Sequence, residues 1–319
     1  MKFIRKITSL VVISAIFCFL PSLAQAYWIW TPRTGTWVNP AYTVKPNPKE
    51  QLEVVKELFN KKDYQGALKE AKQLLRYYPG SVEAPEAQFY LGACLENLDK
   101  PYGAYLAYQR VIDKYPFSQR TDDVVEREFK IGERLLEAPQ KKILGVNISY
   151  ESLVLEIFNK VIDNSPYGRY AAIAQYKTGL ILKGLKSFDE AQNAFQKVVD
   201  NYPKSEWADA SKFQIASCQS LSSLRPDYDQ VATEEAKKGF EDFAREHPDL
   251  DAGLSKKIED NLSKLREKEA QANLKIAQFY ERQKQYASAK IYYKYIIDNY
   301  TDTSVATTAA ARFQILERK

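Results

Sequence analysis

A recurring aromatic–proline pair is the feature of this sequence that most constrains its fold. Each occurrence closes a segment with apolar residues at helical spacing. Proline fits that place because its ring cannot continue a helix. The pairs therefore predict the ends of six helices. They are Tyr78-Pro79, Tyr115-Pro116 and Tyr202-Pro203, with the variants Ser165-Pro166, His247-Pro248 and Tyr300-Thr301.

Two further positions recur at fixed distances before each closing residue. A small or β-branched residue stands twelve residues earlier, and the residue eight earlier is aromatic in five of the six cases. Residues four apart share one helical face, so the small residue lets two helices approach and the aromatic one fills the gap between helix pairs. The first set is Ala67, Ala104, Val154, Ala191, Ala236 and Ala289, and the second is Ala71, Tyr108, Phe158, Phe195, Phe240 and Tyr293.

Small residues also follow the closing positions. Gly92, Gly179 and Ala216 stand thirteen residues after a closing proline, where a glycine inside a helix usually has a packing reason. The whole combination resembles the tetratricopeptide repeat and recurs too often for unrelated amphipathic helices. We therefore predict an all-α solenoid over residues 49–319, a superhelix of about five to six stacked antiparallel helix pairs.

The same count predicts the state of two cysteines. Cys94 and Cys218 each stand fifteen residues after a closing proline, so they hold equivalent positions in separated repeats. Equivalent positions several units apart cannot reach disulfide distance. Both are expected to be small, buried, apolar residues.

Residues 1–26 have the pattern of a secretory signal peptide. Its apolar run is too short for a stable membrane span, although an uncleaved N-terminal anchor is the alternative. Cys18 has Phe17 directly before it, where a lipidation site usually has a small residue, so we expect Cys18 to leave with the signal segment; lipidation there is the alternative. The pattern consists of the basic residues Lys2, Arg5 and Lys6, an apolar stretch over residues 7–20, and Leu23-Ala24-Gln25-Ala26.

Charge and motifs argue against nucleic-acid binding and catalysis. The formal charge falls from +5 to +2 when the three basic residues of the signal segment are removed, which leaves no electrostatic case for nucleic acid. His247 is the only histidine, so it has no partner for a triad or a metal site. With no nucleophile-elbow or phosphate-loop motif either, we expect a non-enzymatic protein with no cofactor and no metal.

The segment over residues 27–48 differs from the repeats. It contains Trp28, Trp30 and Trp37 and four prolines, a composition that excludes a helix and predicts an extended arm. Three interpretations stay open: an extended, poorly ordered tether, an aromatic arm that docks on a partner or at the membrane interface, and an arm that lies in the groove of its own solenoid.

Three insertions interrupt the repeat spacing, at residues 137–147, 220–232 and 254–272. The third is charged, lacks proline and predicts one helix that continues into residues 273–280. An array of this length with these irregularities resembles the BamD family, the tetratricopeptide subunit of the outer-membrane β-barrel assembly machinery. The matching segments are Ile143-Leu144-Gly145-Val146, the Asp229-Gln230-x-x-Thr233-x-x-Ala236 stretch, and Leu265-Arg266-Glu267-Lys268-Glu269 leading into Ile276–Tyr280.

The resemblance implies a periplasmic protein at the inner face of the outer membrane of a Gram-negative bacterium, peripheral to the membrane. Its expected partners are the periplasmic domains of the barrel-forming subunit, unfolded outer-membrane proteins, and other subunits of the machinery. Arg266 and Lys268 would lie where the family meets the barrel-forming subunit, with a solvated helix face as the alternative. Tyr90 and Tyr176 would line the substrate groove, with a role in helix stacking as the alternative.

Two departures from the family pattern leave other functions open. This chain has Phe17-Cys18 where the family carries a lipidated cysteine, and Thr301 where the last repeat usually closes with proline. The alternatives are a periplasmic adaptor of cell-envelope or cell-division machinery, and a chaperone-like or carbohydrate-binding module of the envelope.

Overall fold

The structure, a computed structural model, describes residues 29–31, 36–38, 44–137, 141–143, 146–148, 150–223 and 230–318. The predicted signal peptide over residues 1–26, with Cys18, and the first tryptophan of the arm, Trp28, lie outside the described residues. Asp229, the first residue of the Asp-Gln-x-x-Thr-x-x-Ala stretch, also lies outside them.

Helices dominate the described part of the chain, which contains thirteen of them and two small hairpins. Within each of the two compact units described below, most consecutive helices pack against each other. The helices are α1 (Pro48–Asn60), α2 (Tyr64–Tyr77), α3 (Ala84–Asn97), α4 (Pro101–Lys114), α5 (Thr121–Glu137), α6 (Glu151–Asn164), α7 (Ala171–Gly184), α8 (Phe188–Asn201), α9 (Glu206–Ser223), α10 (Gln230–Glu246), α11 (Ala252–Arg282), α12 (Tyr286–Asn299) and α13 (Ser304–Glu317).

The six predicted helix ends are confirmed. Helices α2, α4, α6, α8, α10 and α12 each end at the residue directly before a closing pair. The first residue of the pair still donates its amide to the last turn, as Tyr78 does to Leu74 O at 2.7 Å and Tyr202 to Val198 O at 2.9 Å. The proline that follows has no amide to donate, so the helix stops there.

The starts of α1, α2 and α11 are capped by short polar side chains. Asn47 caps α1 by accepting from the Glu50 amide at 2.8 Å, with Pro48 as the first helical residue. Asp251 caps α11 by accepting from the amides of Gly253 at 2.8 Å and Leu254 at 3.0 Å. Each cap satisfies amides that the first turn of a helix leaves without a partner.

Four turns inside helix pairs contain a residue in the left-handed backbone conformation. Lys62, Asp99, Lys186 and Lys284 have φ angles of 62°, 56°, 63° and 62°, in the left-handed region. Each stands between the two helices of a pair, where a single left-handed residue reverses the chain direction. Four pairs therefore turn with the same geometry, and none of these four positions uses glycine.

The chain divides into two compact units, at Val111 and Ile112. The first unit holds α1 to α3 and most of α4. Its core is built from residues of all four helices, which include Val55, Ala67, Ala71, Leu91, Cys94 and Ala107.

The second unit holds α5 to α13 and contains several apolar clusters. Phe195 and Cys218 pack between α8 and α9. Phe240 packs with Ile258 and Leu265 of α11 in the next cluster. Ala270 and Ala277, also of α11, belong to the cluster built around Tyr293. One helix of 31 residues thus enters two clusters, and the prediction that the third insertion continues as a single helix is confirmed.

Two antiparallel hairpins accompany the helices. In the arm, β1 (Ile29–Thr31) pairs with β2 (Thr36–Val38), so that Trp30 faces Trp37 across the strands. In the first insertion, β3 (Lys141–Ile143) pairs with β4 (Val146–Ile148). The second hairpin was not predicted, because the insertion was recognised only from its length and its break in the repeat spacing.

Candidate protein-binding surface

The recurring small and aromatic residues form the interior of the repeats. Ala67, Ala104, Ala191, Ala236 and Ala289 are fully buried, and so are Tyr108, Phe158, Phe195, Phe240 and Tyr293. A Cβ atom added at Gly92 would lie 2.6 Å from the Tyr108 ring, and one at Gly179 would lie 2.6 Å from the Phe195 ring. These residues hold the helices together and offer little surface to a partner.

Two further glycines make similar close approaches that the repeat count does not locate. A Cβ at Gly132 would lie 2.5 Å from the Phe158 ring. Gly132 stands sixteen residues after Pro116, because α5, with 17 residues, is longer than α3 and α7, which have 14 residues each and carry Gly92 and Gly179. In the next case the roles are exchanged: Ala216 takes the expected glycine position, and Gly239 on the opposite helix leaves room for it, with a Cβ there 2.9 Å from the Ala216 Cβ.

Tyr90 and Tyr176 are half-buried in aromatic clusters. The Tyr90 ring lies 5.2 Å from that of Phe59, and the Tyr176 ring lies 5.0 Å from that of Trp207. Each ring therefore packs between helices and keeps one part at the surface. Contact with a substrate remains a prediction for both residues, and any such contact would use the exposed part only.

The arm presents two tryptophans. Trp30 and Trp37 meet edge to face with ring centroids 5.8 Å apart, and they are 47% and 62% exposed. Such a pair has a large apolar surface with polar N–H groups, a combination that suits docking. Docking by the arm stays a prediction.

The chain just before α1 is attached to the first helix pair. The Tyr78 hydroxyl donates to Lys45 O at 2.8 Å, and the Lys45 amide donates to Gln51 Oε1 at 2.8 Å. Gln51 is buried and donates in turn to Glu70 Oε2 at 2.7 Å. These bonds fix the direction in which the chain enters α1.

Arg266 makes its hydrogen bonds with residues of its own unit, the second one. Its Nη2 and Nε donate to the two carboxylate oxygens of Asp302 at 2.8 and 3.0 Å, and Nη2 also donates to Asn299 O at 3.0 Å. The guanidinium lies 5.6 Å from the centre of the Tyr300 ring. Hydrogen bonding to Asp302 raises the pKa of Arg266, and the same contact lowers the pKa of Asp302. The side chain thus ties α11 to the turn between α12 and α13.

Lys268 connects α11 with α10. Its Nζ donates to the hydroxyl of buried Thr233 at 3.2 Å. Both basic residues are half-buried and take part in contacts between helices, so neither lies on a plain solvated helix face. Binding of a partner by these two residues remains a prediction, and tests of it must separate it from their role in packing.

A recess of about 320 Å³ opens between α8, α9 and α10. Ala216 and Gly239 line it together with Phe243, and Lys212 at its rim pairs with Glu246 at 2.8 Å. The close approach at Gly239 brings backbone near this recess.

Among the described residues, no three His, Cys, Asp or Glu side chains are grouped to hold a metal ion, and no helix has the length and apolarity that a membrane span needs. His247 packs its ring 4.6 Å from that of Phe243, with Nε2 3.7 Å from Asp209 Oδ1.

Comparison with protein families gives two matches. Residues 214–318 match the family described as "Outer membrane lipoprotein" (YfiO), and residues 86–118 and 173–205 each match the tetratricopeptide repeat. Together with the helix pairs, these matches confirm the predicted all-α solenoid of the tetratricopeptide type. Arrays of this class present extended surfaces to protein partners.

A search of the curated proteins gives no match. Among solved structures, the chain is similar to the crystal structure of MamA protein, at 17% identity and a TM-score of 0.36 over 63% of this chain and 92% of that one. It is similar to a tetratricopeptide repeat protein from Parabacteroides merdae, at 14% identity and a TM-score of 0.35 over 85% and 98%. The C-terminal part of a TPR repeat-containing protein from Cytophaga hutchinsonii gives 17% identity and a TM-score of 0.38 over 83% and 88%.

Proposed function

We propose that this chain is a non-enzymatic scaffold of the outer-membrane β-barrel assembly machinery, equivalent to BamD. In this proposal its C-terminal helices bind the periplasmic domains of the barrel-forming subunit. Its N-terminal repeats receive unfolded outer-membrane proteins, and other subunits of the machinery join the complex. The protein would work in the periplasm, at the inner face of the outer membrane.

The observation that carries the proposal is the family match over residues 214–318. This region runs from within α9 through α13 and includes α11, which is longer than the other twelve described helices. Two residues of the Asp-Gln-x-x-Thr-x-x-Ala stretch contribute to the packing of this region: Ala236 is fully buried, and the Thr233 hydroxyl accepts a hydrogen bond from Lys268. Two of the three segments behind the resemblance, the one with Thr233 and the one with Lys268, therefore meet at the α10–α11 contact.

Arg266 has a way to bind a partner without losing its internal contacts. The hydrogen bonds to Asp302 and Asn299 use Nε and Nη2. A guanidinium has a third nitrogen, Nη1, whose two N–H groups can donate to a carboxylate of another protein. The proposal therefore expects acidic residues on the periplasmic domains of the barrel-forming subunit opposite α11.

The test is affinity purification of the tagged protein from detergent-solubilised envelopes, with its partners identified by mass. We expect recovery in about equal amounts of an outer-membrane β-barrel protein that carries periplasmic repeats. Recovery of the tagged protein alone, or with division or peptidoglycan factors, would contradict the proposal. A variant truncated after Asn201, which lacks α9 to α13, is the matched control and should lose that partner.

The second candidate is a periplasmic adaptor of cell-envelope or cell-division machinery. It is favoured by the family matches before residue 214, which are to the general tetratricopeptide repeat. The same purification distinguishes it, because an adaptor would recover envelope or division proteins and no β-barrel subunit.

A further inference from the structure

The second unit has an acidic, aromatic pocket between α10, α11 and α12, with a volume of about 540 Å³. Three tyrosines, Tyr292, Tyr295 and Tyr300, form much of its lining. Glu234 and Glu269 supply two carboxylates, and the described lining contains no basic residue. A pocket of this size with aromatic walls and acidic groups suits a cationic side chain.

The aromatic walls are held in place by their own contacts. Tyr292 stacks on Tyr280 with ring centroids 5.5 Å apart and planes 16° from parallel. Tyr295 meets Tyr300 edge to face at 5.9 Å. Tyr295 is nevertheless 46% exposed, and Ile291 beside it is 68% exposed. The pocket therefore has a preformed inner wall and an open, partly apolar rim.

Glu269 lies half-buried in this pocket, and the groups around it only partly stabilise its negative charge. The Tyr300 hydroxyl donates to its Oε2 at 3.3 Å. Burial raises the pKa of Glu269; Glu234 adds to the rise, whereas Lys237, Arg266 and the Tyr300 hydroxyl oppose it. The two nearby cations lie closer to other carboxylates: Lys237 lies 3.9 Å from Glu234, the second carboxylate of the pocket, and Arg266 binds Asp302. An added cation next to Glu269 would stabilise its charged form.

The chain itself provides a precedent for the chemistry. Arg266 places its guanidinium 5.6 Å from the centre of the Tyr300 ring while it binds the carboxylate of Asp302 in a bidentate way. A planar guanidinium can combine these two contacts, stacking on a tyrosine face and pairing with a carboxylate. The neighbouring pocket offers the same two groups, a tyrosine face and a carboxylate, to a ligand from outside.

We propose that the pocket formed by Glu234, Glu269, Tyr292, Tyr295 and Tyr300 binds an arginine side chain of a partner protein. The guanidinium pairs with Glu269 and lies against the Tyr295 ring, and its aliphatic stem contacts Ile291. This inference goes beyond the proposed assembly role and does not depend on it, because it concerns the chemistry of the ligand and not the identity of the partner.

The test is a titration of the purified, 15N-labelled protein with N-acetyl-arginine amide, followed by backbone amide shifts. N-acetyl-citrulline amide is the matched probe, since it has nearly the same shape but no charge. We expect arginine amide to shift the signals of Glu269, Tyr292 and Tyr295, and we expect at least about tenfold weaker binding of citrulline amide. Equal binding of the two probes, or shifts confined to other parts of the chain, would overturn the proposal.

Variants give a second, independent test. Glu269→Gln removes the charge but keeps an oxygen that can accept from Tyr300, so the fold is expected to survive. We expect it to weaken binding of arginine amide about tenfold, and Tyr295→Leu to weaken it several-fold. Glu259→Gln makes the same change at an exposed position of α11 outside the pocket and should bind like the unmodified protein. Unchanged binding by folded Glu269→Gln would exclude the pocket as the site.

Discussion

The hydroxyl of Tyr108 donates a hydrogen bond to Oε2 of Glu96 at 2.9 Å, across the turn between α3 and α4. Tyr293 makes the same bond to Glu281 at 2.7 Å, and in both pairs the residues are twelve apart in sequence. Phe195 occupies the same repeat position without a hydroxyl, and the residue twelve before it is Lys183. In these three repeats the carboxylate is present where a hydroxyl faces it and absent where it does not.

We expect Tyr108→Phe and Tyr293→Phe each to lower the free energy of unfolding by about 1–2 kcal/mol. Each change deletes a hydrogen bond to a charged group and leaves the ring packing intact. Urea denaturation of the variants measures the effect. Tyr77→Phe is the control, because Tyr77 is 60% exposed and its side chain is open to water. A loss as large in the control would show that the hydroxyl–carboxylate bonds contribute nothing particular.

The free energy of unfolding should fall at alkaline pH, because the Tyr293 hydroxyl loses its proton more easily in the unfolded chain than in the folded one. Burial, with the neighbouring Glu281 second, raises the pKa of Tyr293 to about 12 from its ordinary 10.0. Between these values the unfolded chain loses the proton and the folded chain keeps it, so unfolding becomes easier as pH rises. The contribution is complete below about pH 10 and is lost towards pH 12. Denaturation between pH 9 and pH 11.5 should give a shallower decline for Tyr293→Phe, and an identical decline would contradict this account.

Gly179→Ala should be clearly destabilising, by about 1–3 kcal/mol, because the added methyl group must displace the buried Phe195 ring. Gly92→Ala should behave alike against Tyr108. Gly184→Ala is the control, since nothing lies within 4 Å of a Cβ there. At this helical position alanine should leave stability unchanged or raise it by up to about 1 kcal/mol. Thermal melts of the three variants compare these effects.

Cys94 and Cys218 should resist alkylation while the protein is folded. Both are buried free thiols among the described residues, and burial raises the pKa of Cys94 to about 12 and that of Cys218 to about 11. At pH 8 we expect iodoacetamide to label them at least about a hundredfold more slowly than in urea. Peptide mass spectrometry reports each site separately. Rapid labelling of either cysteine in the folded protein would show that its helix layer opens.

Under the proposed function, the double variant Arg266→Glu with Lys268→Glu should reduce recovery of the barrel-forming subunit by about tenfold or more, because the expected acidic groups of that partner would then meet like charge. These changes also break contacts to Asp302 and Thr233. Asp302→Asn is therefore the needed comparison, since it weakens the internal pair and keeps the charge of Arg266. If Asp302→Asn lowers recovery as much as the double variant, the residues act through packing and not through the partner.

Much of the fold could be predicted because the repeat depends on residue types whose effect on a helix is local: prolines that end helices, and small and aromatic residues at fixed spacing. The five closing prolines and the equivalent Thr301 located six helix ends, and counting back from them located Ala104 and Tyr108 on one buried face. Gly132 escaped the count because a longer helix moved it by three positions. The hairpin of β3 and β4 escaped because its strands are three residues each, too short for an alternating pattern to be recognised.

The candidate site was harder to predict, because it depends on which side chains meet across helices. Arg266 was singled out as a basic residue on a long charged helix, but its partner Asp302 is 36 residues away in sequence. The pocket around Glu269 likewise combines residues from three helices. Spacing within one helix gives no information on contacts between side chains of different helices. These contacts follow only from the packing of α11 against its neighbours.

The 31-residue α11 also has a mechanical consequence. At a rise of about 1.5 Å per residue the helix is roughly 46 Å long, and it is a continuous rigid rod. One end is clamped by the cluster around Phe240 and the other by the cluster around Tyr293. Because α11 belongs to both clusters, we expect the helices from α10 to α13 to unfold together and not repeat by repeat.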